Sequence, residues 1–324
     1  MTPVAGIVDF AVTFPAGEVT VAELHETSGV PVADLLAITH CDRFPVLADG
    51  EQAWELAVRA ARQVLDRQGV SPSEIGTVIY AGSGEWDLPF WSPAARSALE
   101  LGIHDAHCFE VTNFCNAASL ALRLGVREIA SGESRFVLVL VGDRLSRLVD
   151  RSDPDSKVLF NFGDAPAAVL LGDVGGGSGF QYLSSALSTD PAWADYYQGE
   201  HEEFQVFMRR RGRRKGLAEA YLTHLTALVG KNLRAVGATL DDVAYLLFNQ
   251  GDKNIHERLL DALGLPRERS VLNYHRYGHM GGADTLIALN DLLDAKALNP
   301  GDLVLLASSG MGFSWGVSAW RFRG

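Results

Sequence analysis

Val111-Thr112-Asn113-Phe114-Cys115-Asn116-Ala117-Ala118-Ser119 is the stretch around which the rest of the chain is organised. An apolar segment, 106–111, leads into it, and a run of good helix formers, 117–129, leads out. This pattern predicts a strand, a sharp turn and a helix, with Cys115 at the turn. A thiol at a helix N-terminus sits near free backbone N–H groups and the positive end of the helix dipole, and both favour the reactive thiolate. A small buried cysteine packed as a hydrophobe fits the same residues. The stretch alone leaves both readings open.

Outward from this unit, β-rich apolar runs predict strands at 6–12, 76–81, 135–141, 243–248, 303–307 and 314–322, and another after the turn at 161–166. Helical periodicity appears at 21–27, 31–38, 52–68, 94–101, 217–236 and 255–263. A last helix opens at 278–284 and runs to about 298. Residues 270–274 read as extended, 308–313 as a glycine-rich turn, and 188–216 as the least regular part. Strand-turn-helix at Cys115 is paralleled by strand-turn-helix at Asn249. We read two α/β halves, 1–175 and 176–324, built by internal duplication around buried sheets.

Of 324 residues, 47% are hydrophobic and 21% charged, so a sizeable core forms and wholesale disorder is excluded. A net charge of −12 argues against a nucleic-acid binder. Cys41, Cys108 and Cys115 give neither a disulfide framework nor a CxxC metal spacing, so a reduced, cytoplasmic setting and no metal are expected. The N-terminus lacks the marks of a signal peptide, and no apolar run is long enough to span a bilayer. In so acidic a chain, the basic run Arg209-Arg210-Arg211 and Arg213-Arg214-Lys215 stands out. It reads either as a solvated face or as a landing site for an anionic partner, such as a phosphate-bearing CoA or an acidic carrier protein. The aromatics Trp86, Phe90, Trp91 and Phe114 line a substrate pocket, form an oligomer contact, or simply pack.

Three further motifs carry a resemblance. They are Asn299-Pro300-Gly301-Asp302-Leu303-Val304-Leu305-Leu306, then Gly310-Met311-Gly312-Phe313-Ser314-Trp315-Gly316, and Phe162-Gly163-Asp164-Ala165. With Cys115 they resemble, in order and spacing, the β-ketoacyl synthase III group of the thiolase superfamily, whose ending reads "KPGD-LVLL…GGGFTWG" and whose turn reads "FGDGA". The resemblance implies a five-layered α-β-α-β-α fold from two duplicated halves, usually a homodimer. It implies no permanently bound cofactor. The substrates would be acyl thioesters of CoA or of a carrier protein's phosphopantetheine. It makes Cys115 the acyl-accepting nucleophile. The oxyanion hole would be the Cys115 N–H with one from Gly310 to Gly312.

The chain departs from the family at two places. The usual His of "HQAN" is Asn249, and the usual Asn of "GNTSAAS" is His279. In the family that His and Asn together stabilise the enolate formed when malonyl thioester loses CO₂. Here the two are exchanged, and Asp284 follows His279 by five residues. A Cys115-His279-Asp284 set supplies nucleophile, base and orienting carboxylate. The same spacing resembles a divergent branch that includes acyltransferases and starter-unit enzymes of antibiotic pathways. The expected reaction is transfer of an acyl group from Cys115 to a hydroxyl or amine of a small molecule. Asn249 and His275 are candidate acceptor-binding residues. Decarboxylative condensation with a malonyl carrier is the alternative. A non-catalytic heterodimer subunit is the third reading, and the presence of all three triad residues argues against it.

Overall fold

Residues in the central strands alternate in side-chain direction, and both directions are apolar, so a helix layer is needed on each face. In Phe136–Val141, Val137, Val139 and Val141 enter one core while Leu138 and Leu140 enter another. The computed structural model describes residues 3–202, 205–212 and 214–324. The first half holds β1 (Ala5–Val12), β2 (Gly17–Thr20), α1 (Val21–Ser28), α2 (Val32–Thr39), β3 (Arg43–Val46), α3 (Ala53–Gln68) and β4 (Ile75–Gly82). It continues with α4 (Pro93–Glu100), β5 (His107–Thr112), α5 (Ala117–Ser131), β6 (Phe136–Val141) and β7 (Ala167–Asp173). Then come β8 (Phe180–Thr189), β9 (Tyr197–Glu202), β10 (Gln205–Arg210), α6 (Leu217–Val236), β11 (Val243–Phe248), α7 (Lys253–Leu263), α8 (Asp284–Asp294), β12 (Leu303–Gly310) and β13 (Ser314–Phe322).

Nine strands form one mixed sheet in the order β11-β12-β13-β8-β1-β7-β6-β4-β5. Its seam is thin. β1 and β8 pair only at Gly6↔Gln181 and Ile7↔Phe180, and a Cβ on Gly6 would stand 2.3 Å from the Phe180 carbonyl oxygen. On either side of this seam the two parts of the sheet carry their own outer helices. α3 and α4 cover the first part; α6, with α7 beside it, covers the second. α5 and α8 lie between, and α5 touches strands of both parts. The layers are therefore α-β-α-β-α, a thiolase-like five-layered fold from two similar halves.

Ala117, Ala118, Ala121, Leu122, Val126 and Ile129 of α5 meet Leu286, Ile287, Leu289 and Leu292 of α8 in one core. Each fully buried branched aliphatic side chain there contributes roughly 1.5–3 kcal/mol relative to exposure. Gly282 lets the two N-terminal ends approach, since a Cβ there would stand 3.0 Å from that of Ala118. Both central helices thus begin at one point between the sheets.

Three local expectations are corrected. Within 188–216, expected to be the least regular part, β9 and β10 pair antiparallel from Gln205↔Glu202 to Arg210↔Tyr197. The first of the two, Tyr-Gln-Gly-Glu-His-Glu, carries almost no apolar signal. α8 is shorter than expected because Gly281 (φ 60°) shapes a separate turn before it and Lys296 (φ 50°) lies just beyond its end. The strand expected to end at 307 runs through Gly310, so the turn is tighter.

Candidate active site

Cys115 sits in the turn Phe114–Asn116 that feeds α5. Phe114 takes φ 49°, a conformation side chains rarely adopt, so this turn must be held by its surroundings. The hold comes from the other half of the chain. Ser308 Oγ donates to Asn116 Oδ1 at 2.5 Å, Asn116 Nδ2 donates to Ser314 Oγ at 3.2 Å, and Ser314 Oγ donates to Asn113 Oδ1 at 2.8 Å. Gly310 and Gly316 make room: a Cβ on Gly310 would lie 2.4 Å from the Asn113 carbonyl oxygen, and one on Gly316 would lie 2.7 Å from Asn116 Oδ1.

His279 is clamped by its backbone to the turn containing Phe162-Gly163-Asp164. Its N–H donates to the Asn161 carbonyl at 2.6 Å, and its carbonyl accepts from Gly163 N–H at 3.0 Å. Asp164 anchors that turn by accepting from Leu47 N–H at 2.8 Å and Ser146 N–H at 3.0 Å. The imidazole Nε2 lies 3.0 Å from Cys115 Sγ, and Nδ1 lies 2.5 Å from Asp284 Oδ2. Asp284 also accepts from Gln250 N–H at 2.6 Å and Met280 N–H at 2.8 Å. Cys115, His279 and Asp284 are 5%, 3% and 2% exposed. Burial opposes a charge on His279, but the facing sulfur and the Asp284 carboxylate outweigh it and hold the imidazole pKa well above its usual value.

Asn249 faces the same cavity, and its amide is engaged. Oδ1 accepts from Ser309 N–H at 3.1 Å, and Nδ2 donates to the Ser309 carbonyl at 3.3 Å. The cavity, of about 240 Å³, is lined by Cys115, His279, Asn249, Ser309, Tyr221 and Arg210, among mainly apolar neighbours such as Met311 and Phe313. This arrangement places a nucleophile, a base with its orienting carboxylate, and polar hydroxyls around one small space.

The remaining expected site residues scatter. Phe114 lines a separate apolar cavity of about 90 Å³ with Leu148, Val206 and Met208. Trp86 packs edge-on against Tyr80, 5.3 Å between ring centres. Phe90 is wholly exposed at φ 48°, and His275 is exposed, away from the cavity. Arg209 is no landing site for an anion: Asp150, Asp153 and Glu202 occupy its guanidinium, which is only 17% exposed. Arg211 pairs with Glu200, and Arg214 donates to the Ala192 carbonyl. Arg213 lies outside the described residues; among the run's described residues Arg210 alone lines the Cys115 cavity, and Lys215 is exposed.

Sequence reading missed the Ser309–Tyr221 contact and the Asn116–Ser308–Ser314 network. The signal was available: four serines, 308, 309, 314 and 318, interrupt two otherwise apolar strands. It also missed Asp143, whose burial pushes its carboxyl up to about 6 as it accepts from Ser83 N–H at 2.7 Å. His256, in α7, is fully buried. Its pKa falls to about 3, and its Nε2 lies 2.8 Å from Ser270 Oγ. Among the described residues no cluster of three or more His, Cys, Asp or Glu is placed to hold a metal, and no helix is long and apolar enough to cross a membrane.

Comparison with known proteins gives a consistent picture. The family models of 3-oxoacyl-[acyl-carrier-protein (ACP)] synthase III and of its C-terminal part match residues 109–191 and 233–322. A beta-ketoacyl-[acyl-carrier-protein] synthase III of Rhodospirillum centenum is 30% identical over 280 residues, covering 86% of each chain. The crystal structure of 3-oxoacyl-(acyl carrier protein) synthase III, FabH, from Pseudomonas aeruginosa superposes with a TM-score of 0.87 at 25% identity, covering 99% of both chains. The priming beta-ketosynthase of a polyketide biosynthetic pathway shares the fold, with a TM-score of 0.88 at 20% identity over 99% of this chain and 97% of that one.

Proposed function

Because the chain belongs to the 3-oxoacyl-[acyl-carrier-protein] synthase III family, we propose that it is an acyltransferase of specialised metabolism, working through a Cys115 acyl-enzyme and a hydroxyl or amine acceptor. The observation that carries this reading is the Asp284–His279–Cys115 line, at 2.5 Å and 3.0 Å. With its Nδ1–H given to a carboxylate, His279 has Nε2 free to carry a proton to and from the sulfur side. Asn249 is tied to Ser309 through both amide atoms. One of its two N–H groups is thus spent on the Ser309 carbonyl, and the amide is fixed in orientation by β12.

The cycle balances in two steps. The Cys115 thiolate attacks the acyl thioester of CoA or of a carrier protein. The Cys115 N–H and one from Gly310 to Gly312 stabilise the oxyanion. Imidazolium His279 then protonates the leaving thiolate, so the free thiol departs and the acyl group stays on Cys115. Acylation removes the negative sulfur that helped raise the His279 pKa. The neutral imidazole then takes the acceptor's proton as the acceptor attacks, and the collapse returns Cys115 as thiolate beside imidazolium. No permanently bound cofactor enters either step. In this reading 1–175 carries the nucleophile and 176–324 carries the base and carboxylate.

Intact-mass measurement after mixing with an acetyl thioester of CoA should show one adduct on Cys115, stable in buffer and discharged by alcohols or amines. An adduct elsewhere, or none with any thioester, would remove the reading. Decarboxylative condensation stays as the alternative because the relatives are named for it.

The functional unit in this reading is a homodimer. β5 is a sheet edge whose far side is unpaired in the described residues, and Phe90 is fully exposed near it in the chain. Unpaired sheet edges and exposed aromatics are both common dimer surfaces. Sedimentation should give twice the 35.0 kDa chain mass; a monomer at micromolar concentration would count against it.

A further inference from the structure

Tyr221, on α6, projects into the Cys115 cavity without a part in the cycle above. Its ring is fixed by edge-on contacts with Phe313 and Trp315, at 5.8 Å and 5.6 Å between centres. Burial pushes the phenol pKa up, so it stays protonated. Its hydroxyl lies 3.2 Å from Ser309 Oγ. Ser309 Oγ donates to the tyrosine oxygen, the nearer of the two acceptors in its reach; Asn249 Oδ1 lies farther, at 3.4 Å, and takes the Ser309 N–H at 3.1 Å. The tyrosine's own proton then has no acceptor among the described residues. A buried donor left unmade costs free energy, and the shared cavity is where a partner fits. The charged side chains that line the same cavity are His279, Arg210 and Asp252; the first belongs to the triad, and Asp252 accepts from Ile255 N–H at 3.0 Å as a helix cap.

A free donor distinguishes the two acceptor classes. A hydroxyl oxygen has two lone pairs, so it can accept from Tyr221 with one, attack the acyl carbon with the other, and yield its proton to His279. A neutral amine has one lone pair, and a hydrogen bond from Tyr221 would consume the pair needed for attack. We propose that Tyr221, set by Ser309, is the acceptor-binding residue and that it selects an alcohol over an amine. The inference rests on the acyltransferase reading of the same site. The bond formed is the ester C–O, the bond broken is the Cys115 thioester C–S, and the hydroxyl proton ends on His279.

The test loads wild type and Tyr221→Phe with acetyl-CoA, then follows discharge of the Cys115 adduct by methanol and by methoxyamine, an amine that is unprotonated at neutral pH. Tyr221→Phe should acylate within about twofold of wild type and melt at a similar temperature. Its kcat/KM for methanol should fall about tenfold or more, mainly through KM, while methoxyamine discharge stays within about twofold. Ser309→Ala, which removes the orienting hydroxyl, should show a smaller loss of the same selectivity. Unchanged methanolysis, or equal losses for both probes, would overturn the assignment and leave the acyltransferase reading standing. A wild-type adduct that resists both probes and is consumed only by malonyl-carrier protein with CO₂ release would overturn both.

Discussion

Asp284→Asn should lower acyl transfer by roughly 10³- to 10⁴-fold, as expected when a histidine base loses the carboxylate that sets its tautomer. Asp284 accepts three hydrogen bonds, from His279 Nδ1–H, Gln250 N–H and Met280 N–H. An asparagine has one acceptor oxygen. With that oxygen on Met280 N–H, its amide N–H₂ faces His279 Nδ1 and the Gln250 N–H. The ring then accepts at Nδ1 and carries its proton on Nε2, toward Cys115, where a base is needed. The direction of titration changes too. The intact site holds the His279 proton well above the ordinary 6.5, so the imidazolium is lost only as pH rises through that raised value. Without the Asp284 attraction it is lost at lower pH. Nitrogen chemical shifts of His279 across pH, read with single-turnover rates, check both parts. Transfer within tenfold of wild type would mean that Asp284 only holds the Gln250 and Met280 backbone N–H groups.

Gly310→Ala should reduce acylation of Cys115 by about 100-fold, the scale of an ångström-sized misplacement of a reacting group. The new Cβ would lie 2.4 Å from the Asn113 carbonyl oxygen and 3.1 Å from both N and Cβ of Asn116. Those are backbone and short side-chain atoms, so nothing flexible can yield. Either β12 or the Cys115 turn must move, and the Asn116–Ser308–Ser314 hydrogen bonds that join them go with it. Gly230→Ala is the matched control. It lies inside α6, and its Cβ meets only the flexible end of Arg234 at 3.3 Å. That change should stabilise by about 0.5–1 kcal/mol with normal acylation. Acylation rates by rapid-quench mass spectrometry separate the two; equal rates would show that the turn tolerates displacement.

Much of the architecture was legible because buried strands and helices carry their period openly. Thr77-Val78-Ile79-Tyr80 and the run from Phe136 to Val141 admit little besides a covered strand. The Cys115–His279–Asp284 line was legible because Cys115 follows a strand and Asp284 follows His279 by five residues. What stayed hidden depends on three-dimensional neighbours. Arg209 looks like an anion site in one dimension, and only folding brings Asp150 and Asp153 onto it. His256 sits among polar residues in sequence, yet the helix turns it inward to Ser270 and Tyr274. The β9–β10 pair has too few apolar positions to announce itself. Ser309 and Tyr221 are 88 residues apart, and their contact has no local signature.

The central claim is that the exchanged His and Asn make this site a transferase to a protic acceptor. Its most direct test is CO₂ release. Acyl-loaded protein is mixed with malonyl-carrier protein labelled in the free carboxyl, and trapped label is counted alongside 3-ketoacyl product. We predict no label above that given by Cys115→Ala protein, with the Cys115 adduct intact until an alcohol is added. Stoichiometric CO₂ with a 3-ketoacyl product would contradict the account and return the chain to carbon–carbon bond formation.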